Sequence, residues 1–435
     1  MQFYTECLGV NEKGRLAIGG ADVTEIAKEF GTPCYIMDEA EIRKNCRAYT
    51  GSMKACYPGE FRIAYASKAL SFAYMYKLCH EENVGADVVS GGELYTALKG
   101  GMPASSLYFH GNNKTEAELR YAAGAGVHCI VLDNPEELGR LDRLAGETGR
   151  IQPVSVRLRP GVKANTHSHV QTGQITSKFG VAIETGEALS MIRNVLACKN
   201  VSLIGVHCHI GSQIFDQGPF DLAVSVLMGF MAEARKECGI EMKELNLGGG
   251  FGIQYTPEDD PRDIETIVRA TAQAVQNAAR ELDYPLPCVV LEPGRSIAAG
   301  AGITVYTIGS VKDIPGAGLY LLVDGGMTDN IRYALYRSRY QALLPARAGE
   351  PQPITASIAG RCCESGDFVG KDMPMQANPQ PGDLVAVLAT GAYNYALASN
   401  YNRVPRPPVV MIRDGAPFAA VRRETWEDVA RLDVI

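Results

Sequence analysis

Eight short apolar runs of strand character each end abruptly in a residue that can do chemistry. Residues 61–66 run into Lys68, 84–89 carry Asp87 and end at Ser90, 106–109 end at His110, and 127–132 end at Asp133. Residues 154–158 end at Arg159, and 203–210 carry His207 and His209. Residues 245–247 lead into Gly248-Gly-Gly-Phe-Gly252, and 289–291 into Glu292-Pro-Gly-Arg295. Most runs are followed by helical periodicity, at 91–100, 115–124, 134–146, 184–196, 219–237 and 261–282. Eight βα units are what a closed (β/α)8 TIM barrel requires, and such barrels build their active sites at the C-terminal strand ends. One pattern therefore predicts both an architecture and a ring of candidate catalytic groups.

At 435 residues the chain is long for one domain and suits two. The predicted barrel occupies 31–296, with 33–38 as a strand leading into a helix near 39–55. Beyond 297 the rhythm changes to alternating runs at 301–309, 318–324, 354–359, 383–389, 408–412 and 417–421. Pro/Gly-rich loops separate them, notably 345–353 and 371–382, so a C-terminal all-β domain of sandwich or barrel-like form is expected. Residues 1–30 do not fit the barrel rhythm and are expected to join that domain. The fold class is thus α/β plus β.

Net charge is −7 with acids and bases interspersed, so neither nucleic acid nor an anionic membrane is an expected partner. The first twenty residues carry Glu6 and Glu12 and no apolar core, which does not read as a signal peptide. The twelve cysteines are scattered without a C-x-x-C pair, which fits reduced thiols in a cytoplasmic enzyme. His207 and His209 would share one strand face, but no third ligand accompanies them, so no metal is expected. The fifth connection, 160–180, is long and aperiodic, as functional loops and lids often are.

Lys68 directly after a strand reads either as a rim lysine or as a Schiff-base amine in a partly desolvated pocket. The glycine run at 248–252 could aim backbone N–H groups at an anion, at the strand-seven and strand-eight loops where TIM barrels commonly hold phosphate. Arg295 stands at the next strand end as a partner for phosphate or a substrate carboxylate. A phosphate site, a lysine and a buried acid in one barrel mouth suggest pyridoxal 5'-phosphate, the acid pairing with the ring nitrogen.

These residues carry a family resemblance. Tyr65-Ala-Ser-Lys68-Ala, His207-Cys-His-Ile-Gly-Ser212, Leu247-Gly-Gly-Gly-Phe-Gly252 and Glu292-Pro-Gly-Arg295 resemble the alanine-racemase-type (fold type III) pyridoxal-phosphate decarboxylases. In the second domain, Asp324-Gly-Gly-Met-Thr-Asp-Asn-Ile-Arg332-Tyr-Ala-Leu-Tyr336, Cys363-Glu364-Ser-Gly-Asp367 and Thr390-Gly-Ala-Tyr393 resemble the diaminopimelate decarboxylases among them. So do Thr166-His167 and Ser177-Lys-Phe-Gly180 in the fifth loop. The ordered set spans nearly the whole chain. Two departures are visible: Ala-Ser-Lys-Ala-Leu where the family more often has Ala-Val-Lys-Ala-Asn, and a second thiol, Cys362, beside Cys363.

The resemblance implies a role for each matched residue. Lys68 forms the Schiff base, Glu292 pairs with the pyridine nitrogen, and His209 stacks on the ring. Asp87, Ser212, Gly249, Gly250, Gly294, Arg295 and Tyr393 help hold the cofactor. Arg295, Arg332, Tyr336, Tyr393 and Glu364 bind substrate, with Glu364 receiving the distal ammonium. Cys363 supplies the proton that replaces CO2. In this family Cys363 and Glu364 reach into the neighbouring subunit's site, so a homodimer is implied. Arg332 and Glu364 together favour a substrate whose far end is zwitterionic over ornithine, arginine, lysine or carboxynorspermidine.

Overall fold

The computed structural model describes residues 2–162 and 178–435. It divides into two compact units, Asn45–Gly252 with Pro261–Ser296, and Met1–Lys44 with Ile253–Asp260 and Ile297–Ile435.

The first unit is a closed barrel of eight parallel strands: β1 (Phe61–Ala66), β2 (Gly85–Val88), β3 (Leu107–Phe109), β4 (Cys129–Leu132), β5 (Gln152–Arg159), β6 (Val201–His207), β7 (Glu244–Asn246) and β8 (Cys288–Leu291). Each pairs with the next, and β8 pairs with β1 to close the ring. With no free edge, the strands read as apolar runs rather than as alternating patterns, and β4 and β8 are buried at every position. The intervening helices match the expected periodic stretches, at Gly91–Lys99, Glu116–Ala125, Pro135–Thr148, Glu187–Ala197, Gly218–Cys238 and Ile264–Glu281. A further helix, Ala73–Glu81, follows β1. Their ends are written locally. Thr115 and Glu118 form a capping box, while Asn134 caps a helix that opens on Pro135 and stops at Gly149 in the left-handed region. Each such N-cap contributes about 1 kcal/mol.

In the second unit the long strand Gly302–Ile314 is the hub. Its first half pairs with Cys34–Asp38 on one side and Leu384–Val387 on the other, and its second half with Gly318–Val323. The register breaks between Ile308 and Ser310, at Gly309, where one strand passes between two sets of partners. Ile354–Ala359 and Phe368–Met375 extend one side, and Val409–Arg413 and Ala416–Val421 the other. The N-terminal segment forms three short strands and the helix Val23–Phe30 in this same unit.

Two details differ from the sequence expectation. Residues 31–44, assigned there to the barrel, belong to the sheet unit, because Cys34–Asp38 bonds to 302–305 and to Val409–Ile412. All five of its residues are buried, so its composition alone cannot tell a barrel strand from a central sheet strand. Phe368–Met375 is a strand where a loop was expected from 371. Asp372 with positive φ, Pro374 and two register breaks interrupt its alternation, irregularities that an edge strand tolerates. Among the described residues no helix is long and apolar enough to cross a membrane.

Candidate active site

Glu292 leaves β8 at the barrel mouth and is buried. His110, one residue past β3, places Nε2 2.8 Å from its Oε1, and Nδ2 of Asn246, the last residue of β7, donates to the same oxygen at 2.7 Å. His207, the last residue of β6, brings Nε2 to 3.3 Å from Oε2. Burial pushes the Glu292 carboxyl up, but the two imidazoles at its oxygens more than reverse this and hold it well below the usual range. His207 is pushed down to about 3 by burial, so its ring is neutral, and its Nε2 lies near Oε2 without the geometry of a hydrogen bond.

His110, His207 and Glu292 keep their ligand atoms within 4.8 Å of one another, a cluster that strand spacing did not reveal. Short N–H···O contacts to both donors on Oε1 make it a hydrogen-bonded network. The strand reading of His207 and His209 also needs correction. β6 ends at His207, so His209 lies beyond the ladder and the two do not share a strand face. His209 sits well below its usual range through burial, then through the positive charges of Lys68 and Arg157.

Lys68 occupies a single helical turn after β1, between buried Ser67 and Ala69, and its own side chain is exposed. The Ser67 hydroxyl donates to the Asp87 carbonyl, tying this turn to β2. Asp87 is buried and pushed up to about 6, mainly by burial and then by Glu292. Its Oδ1 has no hydrogen-bond partner among the described residues.

The glycine run forms a cradle. Gly248 and Gly250 have φ of 65° and 107°, which side-chain-bearing residues seldom adopt. A Cβ on Gly249 would strike the Glu292 carbonyl, and one on Gly250 the Gly211 carbonyl. The Ile214 N–H donates to Gly250 O at 2.9 Å, and the Gly252 N–H to Ile214 O at 3.0 Å, stitching this loop to the one carrying Ser212. Arg295 Nη2 donates to Ser212 Oγ at 2.8 Å. Gly294 passes so close to Ala66 and Ala69 that the turn after β8 abuts the Lys68 turn.

These residues fit pyridoxal 5'-phosphate. They supply an ionised carboxylate for a ring nitrogen, a backbone cradle with Ser212 for phosphate, a lysine open to the mouth, and a buried acid with an unused oxygen.

The sheet unit holds the remaining candidates. Arg332 opens the helix Arg332–Tyr336 and is buried. Its guanidinium carbon lies 5.6 Å from the ring centroids of Tyr255 and Tyr393 and 6.0 Å from that of Tyr336, and Nη2 donates to Ser338 Oγ at 3.1 Å. Burial opposes its charge, but the oxygens of Tyr255, Tyr340 and Tyr393 more than offset this, so it stays cationic. Cys363 and Glu364 stand exposed on the turn between 354–359 and 368–375. Asp367 holds that turn, accepting from the Cys362 N–H at 2.7 Å and the Met327 N–H at 2.6 Å. The Cys362 thiol is pushed up to about 12 by burial and by Asp367.

Lys68, Asp87, His209, Ser212, Gly249, Gly250, Glu292, Gly294 and Arg295 therefore gather in the barrel, and Arg332, Tyr336 and Tyr393 in the sheet unit. Thr166, His167 and Ser177, with most of the fifth loop, lie outside the described residues. The sequence expectation placed His110 in the ring of strand-end candidates but gave it no role, and it did not single out Asn246, Arg157 or Tyr255. Asn246 ends a barrel strand, a signal that was available. Arg157 stacks on Phe179 at 4.3 Å and Tyr255 on Arg332, contacts that no local pattern announces.

Residues 39–299 match the family model described as pyridoxal-dependent decarboxylase, pyridoxal binding domain. The chain is 45% identical to the diaminopimelate decarboxylase of Bacillus subtilis (strain 168), over 98% of this chain and 96% of that protein. It is 40% identical to that of Mycobacterium tuberculosis (strain H37Rv), over 98% and 96%. The crystal structure of diaminopimelate decarboxylase from M. jannaschii in complex with L-lysine superposes with a TM-score of 0.92 at 33% identity, covering 100% of this chain and 99% of that one.

Proposed function

Because the chain belongs to the pyridoxal-dependent decarboxylases, and among them to the diaminopimelate decarboxylases, we propose that it converts meso-2,6-diaminopimelate to L-lysine and CO2, the last step of lysine biosynthesis. The observation that carries this reading is Glu292, an acid kept ionised in a buried barrel mouth, beside an exposed lysine and a glycine cradle. Loss of CO2 leaves an electron pair on Cα that no amino-acid side chain can delocalise. Bound pyridoxal phosphate supplies the electron sink.

The chain's own residues do the rest. Lys68 holds the cofactor covalently. Glu292 would pair with the ring-nitrogen proton, and His209, half-buried and neutral, would stack on the ring. Ser212, Gly249, Gly250, Gly294 and Arg295 would hold the phosphate, with Tyr393 assisting, and Asp87 would also bind the cofactor. Arg332 takes the distal carboxylate, Glu364 the distal ammonium, and Tyr336 packs beside Arg332. The Cα–carboxylate bond breaks, its electron pair stays on Cα, and the Cys363 Sγ proton forms the new C–H bond. Cys363 and Glu364 serve the neighbouring subunit of a cytoplasmic homodimer.

The test is to incubate cofactor-loaded protein with meso-diaminopimelate, and separately with lysine, ornithine and arginine, and to measure CO2 and amine products. CO2 with L-lysine from diaminopimelate alone is expected. Turnover of a basic amino acid instead overturns the roles of Arg332 and Glu364, and no CO2 from any substrate overturns the reading.

A further inference from the structure

A carboxylate offers about four acceptor positions, and at Glu292 the two on Oε1 are taken by hydrogen bonds from this chain among the described residues. His110 and Asn246 share Oε1 at 2.8 and 2.7 Å, and His207 approaches Oε2 at 3.3 Å. All three are buried, so no water competes for these contacts. An ionised carboxylate accepts only; a protonated one would set its own O–H against these N–H donors. The two donors on Oε1 thus select the charged form and leave Oε2 as the oxygen with acceptor capacity to spare. The His110 and His207 rings meet edge-on, centroids 4.7 Å apart at 67°, which limits each ring's rotation.

We propose that His110 is a positioning residue for the reaction: by donating from Nε2 to Glu292 Oε1 beside Asn246, it fixes the carboxylate and leaves Oε2 for the proton of the cofactor's ring nitrogen. This rests on the reading that Glu292 pairs with that nitrogen. Its chemical consequence is electronic. A ring nitrogen that keeps its proton draws the electron pair off Cα; one that loses it does not. His110 acts through Glu292, so its loss changes the rate of bond breaking more than the binding of substrate. His110 is 182 residues from Glu292 in the chain, and no sequence motif couples them.

The experiment compares wild type, His110→Phe and His110→Gln as cofactor-loaded enzymes. His110→Phe removes the donor, whereas the glutamine amide can donate from a similar reach. Three quantities are read: the midpoint of the pH titration of the bound cofactor's visible absorption band, and kcat and KM for meso-diaminopimelate. In His110→Phe, kcat is expected to fall about ten- to hundred-fold, the range typical when an outer-shell partner is lost. KM should stay within about twofold, the band's titration midpoint should move, and His110→Gln should recover most of both. If His110→Phe keeps the wild-type titration and kcat, or if His110→Gln is as impaired as His110→Phe, the proposal is overturned. Should His110→Phe fail to fold by circular dichroism, His110→Ala against His110→Gln gives the same contrast. The wild-type control separates the two levels: a loaded wild type that releases no CO2 sinks the functional reading, whereas an active wild type matched by His110→Phe sinks only this inference.

Discussion

Single side chains decide most at the turn 361–367. Two adjacent thiols compete there for one role, and their environments separate them. Cys363 is exposed, whereas Cys362 is partly buried against Asp367 and pushed up to about 12. At pH 8 a thiol titrating at 12 is ionised to about one part in ten thousand, and thiolate is the reactive form. A thiol-alkylating reagent at pH 8 should therefore modify Cys363 at least about tenfold faster than Cys362, as read by peptide mass spectrometry. Equal or reversed labelling would move the proton-donor assignment to Cys362. From the sequence only the adjacency to Glu364 favoured Cys363. The burial that distinguishes the pair comes from Asp367 folding back across the turn, and two donated backbone N–H groups hold it there.

Elements were legible in proportion to how local their causes are. The barrel strands show as apolar runs because both faces are buried, and the helices show their stripes and caps. Cys34–Asp38 and Phe368–Met375 were misplaced or missed because their partners, not their residues, define them. The site divides in the same way. Lys68, the glycine run and Glu292 stand at strand ends, where barrel geometry predicts chemistry. The groups around Glu292 come from β3, β6 and β7 and meet only when the ring closes. The loop after β7 carries its own prediction. In Gly249→Ala the new methyl must displace the Glu292 carbonyl, which cannot yield without moving the turn after β8. Such overpacking costs typically 1–3 kcal/mol, and here it falls on the cofactor cradle rather than on a helix or the core. The cofactor dissociation constant, from titration of the apo-protein, should rise at least about tenfold, with the far-ultraviolet circular dichroism unchanged. Wild-type affinity in Gly249→Ala would mean that the cradle holds no phosphate.

At the scale of the whole molecule, the question is how many chains make one active site. Arg332 is buried among tyrosines of its own chain, which is where a residue that serves its own subunit can be held in place. Cys363 and Glu364 project instead from an exposed turn. Among the described residues the Glu364 carboxylate accepts from its own turn, at Ser365 and Gly366. Groups displayed in this way suit a two-fold assembly, in which each subunit lends the same patch to the other. If so, Lys68→Ala and Cys363→Ala proteins, each inactive alone, will complement when subunits exchange. A mixed dimer then has one site bearing both lesions and one bearing neither. Random exchange of equal amounts makes about half the dimers mixed, so about a quarter of all sites become intact. CO2 release from meso-diaminopimelate should recover to about that fraction after the two proteins are mixed, dissociated and reassociated, with subunit exchange verified by native mass spectrometry. If mixed dimers form and remain inactive, Cys363 serves the Lys68 of its own chain. The turn would then have to bring both groups into one subunit's site, and the dimer would no longer be required for catalysis.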